Sequence, residues 1–265
     1  MKNQHEEDLK RIESFRLIDD DFMNACFDGN NEAVELILSI ILNKPSIKVS
    51  RVETQKLMKN LAGRDICLDI DASSEGKEYN IEIQRADKGA EPDRARAHSS
   101  IIDAHALRPG EPFSALPETY VIFITENDVL GEGEPIYPVE RVIMTSGKLY
   151  GDREHIIYVN GADRNSSTDL GKLMHDFFCT KADEMNFSVL AEKLRYFKES
   201  EEGVKSMCKV LEDMRESVRE ETAQETTVDH LKEIMEKLKY TLDQAMDLLS
   251  IPSDQRALYS GLVQK

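Results

Sequence analysis

With 265 residues, 40% of them apolar and 32% charged, the chain holds enough material for one sizeable core plus an appendage, and its balance is that of a soluble globular protein. No apolar run approaches the roughly 20 residues of a membrane span, and the start MKNQHEEDLKRIESF lacks the apolar centre of a signal peptide, so a cytoplasmic protein is expected. A net charge of −17 weighs against nucleic acid as a partner, and four widely spaced cysteines (Cys26, Cys67, Cys179, Cys208) without a CxxC pair suggest free thiols rather than a zinc knuckle or disulfide framework.

After the charged start, Asn30 or Asn31 can cap a helix with the body EAVELILSIILN, apolar nearly all round and ending before Pro45. A first strand is expected near Ile47–Val52. DICLDIDA alternates with Ile66, Leu68 and Ile70 at period two, SSEGK is a turn, and EYNIEIQRA is the return strand of a β-hairpin. Residues 93–107 read as a helix, ETYVIFITEND as a buried strand, GEGEPIYPVER as a loop and HIIYVNG as one more strand. From about residue 165 the strand signals stop; residues 199–228 form an amphipathic helix, Thr241 can cap LDQAMDLLS, and Ser253 can cap DQRALYSGL. The order predicts an α/β domain with a mixed central sheet flanked by helices over 1–165 and an all-helical extension over 166–265, the latter a candidate surface for a homo-oligomer.

The acids of the hairpin stand where strands usually bury Val or Ile. With a turn centred between Glu75 and Gly76, opposed residues have numbers summing to 151, which pairs Asp69 with Glu82, Asp71 with Asn80 and Cys67 with Gln84. Alternation sends these to one side and Ile66, Leu68, Ile70, Ile81 and Ile83 to the other. Like charges opposed at Cβ separations of roughly 4.5–5.5 Å repel unless a cation stands between them. Mg²⁺ suits two acids plus a backbone carbonyl near Ile83, and can activate water against a phosphate. The plain alternative is an edge hairpin with its polar face in solvent, and a one-residue slip would exchange the faces. Asp65, Asp71 and Glu75 read as solvated turn and strand-end residues, with Asp71 nearest to a supporting role.

Asp69, a turn, and then Glu82-Ile83-Gln84 look like the D…ExK/Q signature of the PD-(D/E)XK nucleases. GRDICLDIDASSEGKEYNIEIQRADKGAEPDRARAHSSIIDAHAL and YVIFITENDVLGEGEPIY resemble the PD-(D/E)XK nuclease family transposases of bacteria, the recombination-promoting nucleases. DDDFMNACFDGNNEAVELILSIILN is similar to that family's first helix and DQAMDLLSIP to its tail. The resemblance covers residues 19–165 well and the remainder loosely. It implies a restriction-endonuclease-like core and a DNA endonuclease that hydrolyses phosphodiester bonds with Mg²⁺, or Mn²⁺ in its place. Asp69 and Glu82 would be metal ligands, Gln84 would stand in the place of the superfamily's lysine, and Glu35 on the first helix would supply a further acid, with Glu32 as its substitute.

Two positions depart from the pattern. Gln84 offers only neutral hydrogen bonds where a lysine brings charge, and Leu68 precedes Asp69 where the motif's proline would open it. A non-cleaving scaffold or binding protein derived from a mobile element is the alternative, favoured by Gln84 and the acidic charge. Arg85, Lys88, Arg94, Arg96 and His98 are either a local phosphate-contacting patch or solvated charges paired with Asp87, Glu91 and Asp93. His98, His105, His155 and His175 lack zinc-site spacing.

Overall fold

A computed structural model describes residues 2–60, 63–86 and 89–263. The stretch read as a charged start holds two helices, α1 (Lys2–Ser14) and α2 (Asp20–Phe27), ahead of the expected α3 (Asn31–Ile41). Asn30 is the cap of α3: its Oδ1 accepts from Ala33 N at 3.3 Å, and its Nδ2 donates to Cys26 O at the end of α2. One side chain thereby fixes the angle between two helices.

Strand β1 (Arg51–Met58) begins later than expected and leads to the hairpin of β2 (Ile66–Ser74) and β3 (Lys77–Gln84). Ile70 opposes Ile81, Asp71 opposes Asn80 and Ser74 opposes Lys77, the register read from the sequence. Glu75 and Gly76 have φ of +50° and +75°, the two left-handed residues of a type I′ turn whose twist matches that of the strands. Next come α4 (Pro92–Ala106), β4 (Glu118–Thr125), β5 (Ile136–Val139), a small hairpin of β6 (Val142–Ile143) and β7 (Lys148–Leu149), and β8 (Glu154–Asn160).

Six of these strands form one mixed sheet in the order β1-β2-β3-β4-β8-β5, with β3, β4 and β8 mutually parallel and the remaining pairs antiparallel. β4 is central and parallel to both neighbours, which explains its unbroken burial from Thr119 to Thr125. β5 lies inside the segment expected to be a loop; as an edge strand it tolerates Pro138, whose missing N–H can face away from the ladder.

The described residues up to Met207 form one compact unit and those from Cys208 a second. The division expected at 165 therefore moves, because α5 (Asp169–Phe178) and α6 (Ser188–Glu199) belong with the sheet. Leu173, Met174 and Phe177 of α5 are fully buried, Phe177 stacks on Phe27 at 6.1 Å, and Phe177 O accepts from Ile18 N. Lys198 of α6 donates to Glu13 O, Phe15 O and Thr180 O at 2.9, 2.6 and 2.6 Å.

Past α6 the chain forms α7 (Glu201–Leu238), longer than the expected 199–228, then α8 (Leu242–Leu248) and α9 (Arg256–Val263). Thr241 and Gln244 make a reciprocal capping box for α8, while α9 starts later than the expected cap at Ser253. In the second unit Leu231, Ala245, Met246, Ile251 and Tyr259 pack together. Among the described residues no helix is long and apolar enough to cross a membrane.

Candidate active site

The β1–β2 ladder runs from Arg51↔Ser73 to Met58↔Ile66 and skips one facing pair, Gln55 and Asp69. Gln55 has φ of +51°, a left-handed conformation that a side chain other than glycine adopts only when its surroundings hold it there. Alternation resets at this pair. Met58, Ile66 and Leu68 pack with Val121, Phe123, Ala95 and Ile102 on the α4 face of the sheet. Val121 and Phe123 are the ladder partners of Asn80 and Glu82, so Leu68 shares a face with Glu82, contrary to the simple alternation expected from the sequence.

Asp69, out of step, turns to the α2 side. Gln55 Nε2 donates to Asp69 Oδ1 at 3.4 Å and to Asn24 Oδ1 of α2 at 3.2 Å. Asp69 and Glu82 still meet, but not as a side-by-side pair on one face. The regular β2–β3 ladder ends at Ile70↔Ile81, and beyond it carboxylates replace the backbone acceptors: Asp69 N donates to Glu82 Oε1 at 3.1 Å, and Ile83 N donates to Asp69 Oδ2 at 2.9 Å.

Glu82 is fully buried within a closed ring of hydrogen bonds. Asn80 Nδ2 donates to Glu82 Oε1 at 2.8 Å, His98 Nδ1 lies 3.0 Å from Asn80 Oδ1, Arg94 Nε donates to His98 Nε2 at 3.3 Å, and Arg94 Nη2 returns to Glu82 Oε2 at 3.1 Å. Since Nε2 accepts from Arg94, the imidazole proton belongs on Nδ1, where it donates to Asn80. Burial alone pushes the Glu82 carboxyl up; His98, whose Nδ1 also lies 3.4 Å from Glu82 Oε1, together with Asn80 and the Asp69 amide, outweighs it and holds the group below its ordinary range.

The Asp69 carboxyl goes the other way. Burial and then the Glu82 charge push it up to about 7, with Asp20 adding to the effect and the Ile83 amide and Arg94 opposing it. Asp69 lines a cleft of about 900 Å³ together with Asp20, Gln84, Arg11, Arg16 and Arg85. Asp20 itself is raised, by burial and by Asp21. Arg16 and Arg85 each pair with both Asp19 and Glu126, so the rim is a four-charge network of interchangeable partners.

Gln84 faces the cleft, and its Oε1 packs against Gly89 so closely that a Cβ there would lie 1.9 Å from it, so a larger residue at 89 would turn the Gln84 amide aside. Glu35 is not part of the cleft. Its carboxylate accepts from Val49 N and Lys48 Nζ, both at 2.9 Å, and that bond to Lys48 holds it below its ordinary range. Glu32 lines the same outer depression as Glu35, so neither helix acid expected from the resemblance reaches Asp69. Asp20 does, from the preceding helix.

Of the basic residues after β3, Arg85 and Arg94 line the cleft, Arg96 is exposed and paired with Asp93, and Lys88 lies outside the described residues. His98 is buried and is no phosphate contact. Asp71 has Lys56 and Arg51 at 2.5 and 2.6 Å and is a buried ion-pair centre rather than a solvated residue. Sequence reasoning missed Asp20, Gln55 and Asn80. The run Asp19-Asp20-Asp21 ahead of FMNACF and an asparagine inside an apolar strand were the available signals; the left-handed Gln55 left none.

Comparison with protein-family models, with curated proteins and with solved structures finds no match to this chain. The cleft therefore speaks through its own chemistry. Asp69 and Asp20 offer only oxygen, and a carboxyl lifted by burial and then by the Glu82 charge fits a hard divalent cation. Glu82 fits that ion only by giving up Arg94 for it, because its other oxygen is already held by Asn80 and the Asp69 amide.

Proposed function

We propose that this chain is a Mg²⁺-dependent DNA endonuclease of the PD-(D/E)XK type, with a restriction-endonuclease-like core and Mn²⁺ as a substitute ion. One observation carries the reading: Asp69 and Glu82 meet where the β2–β3 ladder gives out, with Gln84 two residues on and facing the same cleft as Asp69. When bound between Asp69, Glu82 and the Ile83 segment, the ion supplies positive charge to a phosphodiester and acidity to water.

The chain's own groups do the rest. The Gln84 amide, which has no protein hydrogen bond among the described residues, orients the attacking water. Arg11, Arg16 and Arg85 line the cleft beside its carboxylates and hold the phosphate backbone. Carboxylates of the rim release their arginines as phosphate arrives. On this reading the protein works on DNA in the cytoplasm, and the exposed Leu238, Leu248 and Leu258 of the helical second unit are candidates for self-association.

Incubation of purified protein with plasmid DNA and Mg²⁺ or Mn²⁺ tests the reading. Nicking is expected in wild type and none in Asp69→Ala. Gln84→Ala should lower the rate by about 10- to 1,000-fold and Gln84→Lys should be tolerated. Equal rates for all three Gln84 forms would refute that residue's role. Absence of cleavage on several DNA forms would favour a non-cleaving scaffold, a reading to which the completely enclosed Glu82 also lends weight.

A further inference from the structure

The last turn of α5 carries His175 and Asp176, and Cys179 caps the helix one turn after His175. One donor atom from each of the three lies within 4.8 Å of the others. His175 Nδ1 is 3.4 Å from Cys179 Sγ and 3.3 Å from Asp176 Oδ1. A tetrahedral zinc ion with bonds of about 2.0–2.3 Å has ligand-to-ligand edges of about 3.3–3.7 Å, so two of the three edges already have the required length. The third, from Sγ to the carboxylate, is at most 4.8 Å and closes by a side-chain adjustment of about 1 Å.

The donors are also held in place. The Asp176 carboxylate accepts from Asn186 N and Phe187 N, both at 2.8 Å, at the entry to α6, and Cys179 N donates to Asp176 O at 3.2 Å. Such outer bonds orient ligands before the ion arrives. Asn186 Nδ2 stands 2.8 Å from Asp176 Oδ1 and 3.2 Å from His175 Nδ1; rotation of this one amide frees His175 Nδ1 and leaves Asp176 Oδ1 a lone pair for a metal beside its bond from Asn186 N. The His175 side chain is 46% exposed, which leaves a path for the ion and room for water. Histidine spacing alone concealed the group, because two of its members are aspartate and cysteine.

From this arrangement we infer that the α5–α6 junction is a Zn²⁺ site made by His175, Cys179 and Asp176, with water as the fourth ligand. Thiolate and imidazole select a borderline-soft ion over Mg²⁺, so the site is chemically separate from the all-oxygen cleft at Asp69 and stands whether or not the chain cuts DNA.

Titration of the reduced full-length protein with Co²⁺, followed by Zn²⁺ competition, tests it. The expected result is a thiolate-to-cobalt absorption band with tetrahedral visible bands, saturating at one ion per chain and erased by Zn²⁺. Cys179→Ser should remove the band, and His175→Ala should weaken Co²⁺ binding by about 100-fold or more, beyond the loss typical of a supporting residue. Cys67→Ser should leave both unchanged. Circular dichroism checks the fold of each variant, and the exposed His175→Ala carries the test if Cys179→Ser does not fold. No thiolate band at millimolar Co²⁺, or a band that survives Cys179→Ser, would overturn the inference.

Discussion

The two faces of the sheet treat a buried carboxylate in opposite ways. On the α4 face Glu82 is completely enclosed, yet His98, Asn80 and the Asp69 amide hold its carboxyl below the ordinary range, and Arg94 bonds its second oxygen. On the α2 face Asp69 has the Ile83 amide and a long bond from Gln55, while Asp20 and Glu82 press further negative charge on it. Desolvation pushes both carboxyls up, though Glu82 is enclosed and Asp69 half-buried at the cleft wall; the supply of donors differs. A carboxylate short of donors in a negative setting is the one that takes up a proton or a cation, which is why reactivity is expected at Asp69 and rigidity at Glu82.

The most severe way to break the contrast is Asn80→Ala. It leaves Glu82 Oε1 and His98 Nδ1 without their shared partner in a dry interior, so stability should fall by about 2–4 kcal/mol in urea unfolding with an unchanged m-value. A loss too small to resolve would mean that the ring relaxes around water.

Arg94→Ala removes the cation from Glu82 and should cost about 1–3 kcal/mol in EDTA, less than a fully buried pair because the arginine is 38% exposed. If arginine and divalent ion compete for Glu82, Mn²⁺ should restore the melting temperature of this variant by more than it raises that of wild type. Equal increments would separate Glu82 from the ion.

Asp69→Asn sharpens the comparison through pH. The Asp69 carboxyl stands at about 7 in the fold against an ordinary 3.8, so the folded state retains a proton that the unfolded chain has lost, and wild-type stability declines as pH rises across that window. Asparagine does not ionise. The variant's melting-temperature advantage should be smallest near pH 4 and full by about pH 8, and an advantage independent of pH would contradict the raised carboxyl. Glu35→Gln should do least: a loss of about 1 kcal/mol from the weakened tie to Lys48, and no change in any DNA cleavage.

The register of the hairpin was legible in advance because it follows from integer spacing and a turn, and Asn30 and Thr241 were legible as caps because their short side chains have one good use before an apolar run. The faces were not. One left-handed residue, Gln55, resets the alternation of two strands, and no periodic pattern records a single dihedral angle. Helix α5 was assigned to an extension because its spacing reveals that Leu173 and Phe177 are buried but not against what. The same limit misplaced the helix acid: spacing along the chain does not tell that α2 rather than α3 runs beside Asp69, so Glu35 was expected and Asp20 was missed.

Lys198 reaches back 185 residues to Glu13 O, and to Phe15 O and Thr180 O, so its ammonium latches the start of the first unit to that unit's last helices. During synthesis this latch cannot close until α6 has left the ribosome, long after the hairpin carrying Asp69 and Glu82 is complete. Arg16 and Asp19, which follow the latched segment and form the cleft's rim, are then set late. Nascent chains ending before residue 198 should hold the acids without an assembled rim, an order of events that keeps any activity of the cleft from preceding completion of the unit.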